Sequence, residues 1–259
     1  MAVLPPGTLL QLMYLRERLK RINPGRFVEI GPGSGEITQL LLDLGWVGKS
    51  YDLEAVTVER LQIRFANEIR KGQYQPDNKD YLSQLKPSES KSADLLISCM
   101  VMEHLDDAAE SSFMRQSSEI LKSDGMMIGF VPGSPAHWGI EDDIAGHCRR
   151  YTRDKIKGLM TNNNWRVDHL AGLTFPVSNF LLPVSNFLVH RSEKSKLSLS
   201  TIERTKYSGR RNVKFKTHFP SLLGLILNRR VLWPLHLLQK LFRNSDRALV
   251  IYFESRPNS

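Results

Sequence analysis

The sequence predicts an α/β protein with a mostly parallel sheet covered by helices on both faces. Three observations carry this reading. Strand-like and helix-like patterns alternate through the first two-thirds of the chain. A Gly-x-Gly-x-Gly run, Gly31 to Gly35, stands between the first strand and its helix. A last β-type run, Ala248 to Phe253, follows a long interval without strand signals.

The elements follow in order. Arg26-Phe-Val-Glu-Ile30 is a short β-type run that ends in the glycine turn. Glu36 to Leu44 places Ile37, Leu40, Leu41 and Leu44 at helical spacing, and Gly45 closes that helix. Val47 to Asp52 reads as a second strand, and Ala55 to Lys71 as a second, charge-rich helix. A weak strand signal lies near Gln73 to Gln75, and Pro76 to Ser92 is polar and loop-like. Ala93-Asp-Leu-Leu-Ile-Ser-Cys99 is a buried strand, followed by a helix over Ala108 to Lys122. Ser123-Asp-Gly125 reads as a turn into the apolar strand Met126 to Val131. Pro132 to Gly146 reads as a long loop at a strand's carboxyl end, where α/β sheets place their chemistry. Thr152 suits the N-cap of a helix ending at Asn162, and Trp165 to Leu170 is a further strand.

Between that strand and the last one lies an insertion, 173–247, longer than ordinary α/β connections. From His169 to His190 it contains no Asp, Glu, Lys or Arg, yet Pro176, Pro183 and several Asn, Ser and Thr residues argue against a transmembrane span. Pro176-Val-Ser-Asn-Phe-Leu181 recurs as Pro183-Val-Ser-Asn-Phe-Leu188. The seven-residue step brings Phe180 and Phe187 to similar faces of a kinked helix. Ser221 to Arg243 mixes Leu222, Leu223, Ile226, Trp233, Leu237 and Leu241 with Arg229, Arg230, Lys240 and Arg243. It suits either a packed cap helix or one lying at a membrane surface.

The 259 residues suffice for one domain with an elaboration. The net charge of +9 is unevenly placed: His190 to Arg247 holds 14 Lys and Arg against 3 Asp and Glu, and the remainder holds 22 against 24. The basicity therefore belongs to one late segment and argues for a local anionic partner. Cys99 and Cys148, the only cysteines, match no disulfide framework or zinc spacing. Met1 to Leu12 lacks the basic start and long apolar stretch of a signal peptide. The expectation is a cytoplasmic protein, with 190–247 able to touch the inner face of the membrane.

The chemistry starts at Glu29-Ile-Gly-Pro-Gly-Ser-Gly35. Glycines let the backbone pass close to a ligand, and the helix start offers free N–H groups. Dinucleotide enzymes use a similar turn, so the glycines alone do not decide the ligand. Glu29 discriminates: a carboxylate at the strand's end balances a cationic amino-acid ligand and repels a pyrophosphate.

Val28-Glu-Ile-Gly-Pro-Gly-Ser-Gly35 resembles the first motif of the class I S-adenosylmethionine-dependent methyltransferases. Asp52, 17 positions after Gly35, falls where that family places an acid for the ribose hydroxyls, and Asp80 resembles its later acid near the adenine. Ala93 to Cys99 with Met100 and Val101-Met-Glu-His-Leu105 resembles the fourth strand and the turn that closes over the ligand. Ser123 to Phe130 resembles the turn into the fifth strand. The resemblance covers residues 20–172 plus the terminal strand 248–254. It implies a Rossmann-like methyltransferase fold with a seven-stranded sheet and a helical insertion before the last strand. It also implies S-adenosyl-L-methionine as cofactor, S-adenosyl-L-homocysteine as product, and Glu29, Gly31, Gly33, Gly35, Asp52, Asp80, Cys99 and Met100 as cofactor-binding positions. Asp80 as a helix cap, His104 as a structural histidine and Cys99 as a small core residue remain alternatives.

Glu141-Asp-Asp-Ile-Ala-Gly-His-Cys-Arg-Arg-Tyr-Thr152 resembles the G-H-x-R-R-Y-T segment of a bacterial methyltransferase subgroup met near sugar, polysaccharide and natural-product genes. An imidazole at His147 suits deprotonation of a hydroxyl. Tyr151 can orient an acceptor and His104 is a third catalytic candidate. Arg149 and Arg150 suit a phosphate or carboxylate, with Trp138 as a further acceptor contact. The alternative is that Arg150 and the run Glu141 to Asp143 form ion pairs that tether the loop. No metal-ligand cluster is legible, so metal-independent transfer is expected.

The leading expectation is O-methylation of a small-molecule, sugar-containing or lipid-linked acceptor. The insertion would then form a lid over the acceptor, with Phe180, Phe187 and Trp233 as its apolar contacts, or else a membrane contact or partner surface. The basic run Arg204 to Lys216 suits anionic lipid or a pyrophosphate, or is a solvated loop. RNA or DNA methylation fits less well, since no nucleic-acid module or aromatic interleaving accompanies the basic run. A non-catalytic S-adenosylmethionine-binding subunit is the alternative outside enzymes.

Overall fold

The structure, a computed structural model, describes residues 3–81, 90–193 and 219–258. The expectations for Arg204 to Lys216 and for most of the loop after Asp80 lie outside the described residues. The chain divides into two compact units. A sheet unit gathers Ile22–Val131, Arg153–Leu170 and Tyr252–Ser259. A helical unit gathers Met1–Arg21, Pro132–Thr152 and Ala171–Ile251.

The sheet is built from β1 (Arg26–Ile30), β2 (Val47–Asp52), β3 (Tyr74–Asn78), β4 (Ala93–Cys99), β5 (Leu121–Pro132), β6 (Trp165–Leu173) and β7 (Val250–Pro257). Their order is β3-β2-β1-β4-β5-β7-β6. β1 runs parallel to β2 and β4, β2 to β3 and β4 to β5. The whole is the mostly parallel seven-stranded sheet expected, with one antiparallel hairpin. The chain steps outward from β1 to β3 and then returns to lay β4 on the other side of β1. This reversal makes a topological switch point between β1 and β4.

The helices α2 (Glu36–Asp43), α3 (Ala55–Arg64), α4 (Ala66–Arg70), α5 (Asp107–Ile120) and α7 (Arg153–Asn162) connect the strands of the sheet unit. Buried Leu95, Leu96, Ile97, Met127, Ile128 and Phe130 form the centre of the sheet. Such two-sided burial is what continuous apolar strands signal. Gly129 lets the terminal strand approach: a Cβ there would fall 2.0 Å from the Phe253 ring.

Several details depart from the sequence reading. The expected helix over Ala55 to Lys71 breaks at Phe65, whose buried ring meets Tyr74 edge-on at 5.2 Å. The weak third strand is real and extends through Pro76, whose missing N–H is tolerated because β3 lies at the sheet edge, with a partner strand on one side only. The turn expected at Ser123 to Gly125 is instead an irregularity inside β5. Ala93 pairs with Leu121 and Leu95 with Met126, so the intervening residues bulge out of register. The loop expected from Pro132 to Gly146 contains a 3₁₀ turn, Pro135–His137, and α6 (Ile140–Ala145).

The helical unit adds α1 (Pro6–Leu19), α8 (Val177–Glu193) and α9 (Trp233–Leu241). α1 had no sequence signature because its buried residues, Leu9, Leu10, Leu12, Met13, Tyr14, Leu15 and Leu19, occupy several faces rather than one stripe. It packs against α8 and α9, and α6 packs against α8. Leu9, Met13 and Leu232 form a core with Leu4, Leu227 and Leu235 around it. A polar network crosses this core: Glu17 bonds His236 Nε2 and Lys240 Nζ, both at 2.8 Å. Gln239 donates to the Leu10 carbonyl at 2.9 Å and accepts from the Thr174 N–H at 3.0 Å. Burial alone would raise the Glu17 carboxyl, but the bonds from Lys240 and His236 outweigh it and hold Glu17 below its ordinary value. α8 continues through Pro183. Ser221 to Arg243, expected as one helix, is a 3₁₀ turn (Ser221–Leu225) followed by the separate α9. Among the described residues, no helix is long and apolar enough to cross a membrane.

Candidate functional site

In the sheet unit, Ile30 pairs with Tyr51 on one side and Ser98 on the other. Gly31, Asp52 and Cys99 therefore follow at three neighbouring carboxyl ends, beside the switch point. The three glycines of the turn have positive φ angles of 67°, 53° and 82°, a region that costs other residues strain. Their surroundings differ. A Cβ on Gly31 would fall 2.7 Å from Val101 Cγ2, so Gly31 lets the β1 turn pack on the β4 turn. A Cβ on Gly35 would strike Leu61 and Phe65 at 2.7 Å, so Gly35 lets α2 start close to α3. At Gly33 no described atom lies within 4 Å of that point. Gly31 and Gly35 serve packing, while Gly33 leaves open room where a ligand backbone contact belongs. Gly35 is also the N-cap of α2 and offers no side chain to its first-turn N–H groups.

Glu29 is buried and accepts a 2.5 Å hydrogen bond from Thr38 Oγ1. Burial pushes its carboxyl up from 4.5 to about 7, assisted by the charge of Asp52 and opposed by the Thr38 bond. A buried acid with one neutral donor is an incomplete ion pair, suited to an arriving cation. The sequence reading missed Thr38. Its only signal is a hydroxyl residue in the first turn of the helix that leaves the glycine turn.

Asp52 ends β2, and its Oδ1 accepts the Glu54 N–H at 2.9 Å, which holds the carboxylate at the strand's mouth. Asp80 lies just beyond β3 and is half-buried. Between them, Tyr51 and Tyr81 approach with ring centroids 5.9 Å apart, and Lys79 lies over the Tyr51 ring at 5.7 Å.

Cys99 ends β4. Burial, then the charges of Glu103 and Glu29, push its thiol up, so it is a small neutral group rather than a nucleophile. Met100 has φ +55°, a left-handed conformation held by its N–H bond to the Phe130 carbonyl at 2.9 Å. Strain of this kind concentrates at ligand clamps, and no residue type announced it. A 3₁₀ turn, Met102–His104, follows, with Met102 and Glu103 buried and His104 half-buried.

The remaining candidates lie in the helical unit. Asp142 is wholly buried and its two oxygens are fully used. Oδ1 meets His147 Nδ1 and Arg150 Nε, each at 2.8 Å, and Oδ2 accepts the Gly139 N–H at 2.9 Å. Burial alone would raise Asp142, but the bonds from His147 and Arg150 outweigh it and keep it ionised below its ordinary range. An ionised Asp142 requires the proton on Nδ1 of His147, which makes Nε2 the basic ring nitrogen. Arg150 also donates to the Gly133 carbonyl at 3.0 Å. The tethering alternative therefore holds for Arg150 through Nε and Nη1, while an acceptor contact through the rest of its guanidinium stays an expectation. Tyr151 is fully buried and its N–H bonds the Pro132 carbonyl at 2.8 Å, so it anchors the loop. Arg149 is half-buried, and Trp138 is exposed with Nε1 bonded to Asp143 at 3.0 Å.

The sheet-unit residues fit S-adenosylmethionine: a buried carboxyl poised near neutrality for a cation, an open cradle at Gly33, and an acid at the end of β2. A methyltransferase-domain family profile matches residues 8–170. No curated protein sequence matches significantly. Among solved structures, a putative sarcosine dimethylglycine methyltransferase from Galdieria sulphuraria superposes with TM-score 0.58 at 15% identity, over 96% of this chain and 86% of that one. The [4+2]-cyclase SpnF gives TM-score 0.58 at 12% identity over 96% and 81%. A Burkholderia thailandensis 1,6-didemethyltoxoflavin-N1-methyltransferase, solved with S-adenosylhomocysteine, gives 0.52 at 14% over 66% and 73%. At these identities the likeness is one of fold.

Proposed function

The chain belongs to the S-adenosylmethionine-dependent methyltransferases, and from that premise we propose that it methylates an oxygen of a small-molecule, sugar-containing or lipid-linked acceptor without a metal. The donor supplies an activated sulfonium methyl, so this chain's residues have to bind, orient and exclude water. Glu29 and Gly33 hold the donor's amino-acid end, and Asp52 its ribose. Gly31, Gly35, Asp80, Cys99 and Met100 complete the donor-binding set. His147 takes the acceptor's proton at Nε2, while Asp142 holds Nδ1 and stabilises the imidazolium that forms. Arg149, and the part of the Arg150 guanidinium not bonded within the loop, are the candidates for an acidic group on the acceptor, and Tyr151 positions the loop.

The observation that carries the oxygen assignment is the Asp142–His147 pair, with a buried ionised carboxylate directing one imidazole nitrogen. A hydroxyl needs such a base, whereas an amine can attack without one. The test is transfer of label from tritiated S-adenosylmethionine into polar and lipid extracts, followed by chemical assignment of the methylated atom. Methyl ethers are expected. Label on nitrogen, or on RNA in the same extracts, overturns the proposal.

A further inference from the structure

In the helical unit, two helices leave several large apolar residues exposed while some of their polar residues are buried. On α8, Phe180 is 80% exposed and Phe187 63% exposed, with Leu181 and Val184 also exposed. Its polar side chains face the protein: Asn179 bonds the Arg247 carbonyl at 2.9 Å, Ser185 bonds Glu141, and Asn186 lies against Gly139. The duplicated Pro-Val-Ser-Asn-Phe-Leu unit produces this arrangement, since a seven-residue step returns each Phe to the outer face and each Ser-Asn pair to the inner one.

α9 repeats the inversion. His236 and Gln239 are buried in the polar network with Glu17 and Leu10. Trp233, Leu237 and Leu241, spaced four residues apart, are exposed, as is Phe242. Just before it, Leu222 is 76% and Leu225 73% exposed, with Ile226 beside them. An ordinary surface helix buries such residues, and large apolar side chains exposed in groups mark an interaction site.

We propose that these faces dock the protein on an anionic phospholipid surface, lying in its plane. Charge selects this occupant over a second copy. Residues 190–247 carry 14 Lys and Arg against 3 acids, so two copies repel one another, while an anionic bilayer attracts. Arg229, Arg230 and Arg243 are exposed among the apolar residues, and the aromatics Phe180, Phe187 and Trp233 suit the headgroup boundary. The inference stands apart from the assignment of the methyl acceptor.

The test is flotation of the full chain with phosphatidylcholine vesicles, with and without roughly 30% phosphatidylglycerol. Recovery is expected only with the anionic vesicles. The pairs Phe180→Ser/Phe187→Ser and Trp233→Ser/Leu237→Ser should each lower it about tenfold or more. S-adenosylhomocysteine affinity, measured by calorimetry, should be unchanged in both variants, which shows that the sheet unit is intact. Quenching by brominated lipid should fall in Trp233→Phe. Equal recovery with neutral and anionic vesicles, or recovery unaffected by the serine pairs, overturns the proposal. So does a dimer in sedimentation that the serine pairs dissolve.

Discussion

Donor binding should consume the abnormal protonation of Glu29. In the free protein this carboxyl is raised to about 7, whereas a cationic ligand beside it favours the ionised form. The sign follows from linkage: protein that has Glu29 protonated must lose that proton to bind, so affinity rises with pH. Between pH 5.5 and 7.0 the ionised fraction grows from about one in thirty to about one half, and the ligand's own α-amino group stays charged below about 7.7. Affinity should therefore rise about fifteenfold, or about 1.6 kcal/mol, across that window. Calorimetry at pH 6 in buffers of different ionisation enthalpy should register release of about one proton per S-adenosylmethionine bound. Glu29→Gln should bind weakly and without this slope. A flat wild-type profile, or the same slope in Glu29→Gln, would refute the reasoning. Stability has the opposite dependence. Without ligand the native state holds a proton that the unfolded chain releases above 4.5, so stability falls as pH rises from 4.5 to about 7.

Further outcomes are expected. Gly33→Val should cost stability through its φ of +53°, although nothing described crowds its Cβ, and the folded fraction should lose S-adenosylhomocysteine binding in calorimetry because the side chain occupies the open space. His147→Ala should cut turnover of the identified acceptor by about a hundredfold or more with donor affinity unchanged; undiminished turnover makes His147 structural. Asp142→Ala should unfold at lower denaturant, by about 3–5 kcal/mol, because it strands the buried Arg150. Gln239→Leu, which leaves the Leu10 carbonyl and Thr174 N–H without their partner, should cost about 1–3 kcal/mol in the same measurement.

The donor half was legible because its signals are local. Glycines at fixed offsets, an acid two positions before them and a strand before a helix describe geometry within a dozen residues. Thr38 was not legible, and neither was the backbone conformation of Met100, a position named from the motif alone. The bond from Thr38 to Glu29 depends on how α2 leaves the turn, and the left-handed backbone of Met100 is imposed by the Phe130 carbonyl from β5. Within the loop after β5, composition left two uses for Arg150. The structure shows the tethering use, because Nε is given to Asp142 and Nη1 to the Gly133 carbonyl, partners that composition does not reveal.

By itself the sequence determined the sheet, the donor motif and the location of the positive charge, since strand runs, turn residues and formal charge do not depend on partners. It also determined that Phe180 and Phe187 share a face, because helical periodicity follows from spacing alone. Only the tertiary structure decided which way that face points. The reason is physical: periodicity defines a stripe, but the side that is buried depends on what packs against the helix. In α8 and α9 Asn179 and Gln239 found partners on the inner side, and Phe180, Phe187, Trp233 and Leu241 were left outside.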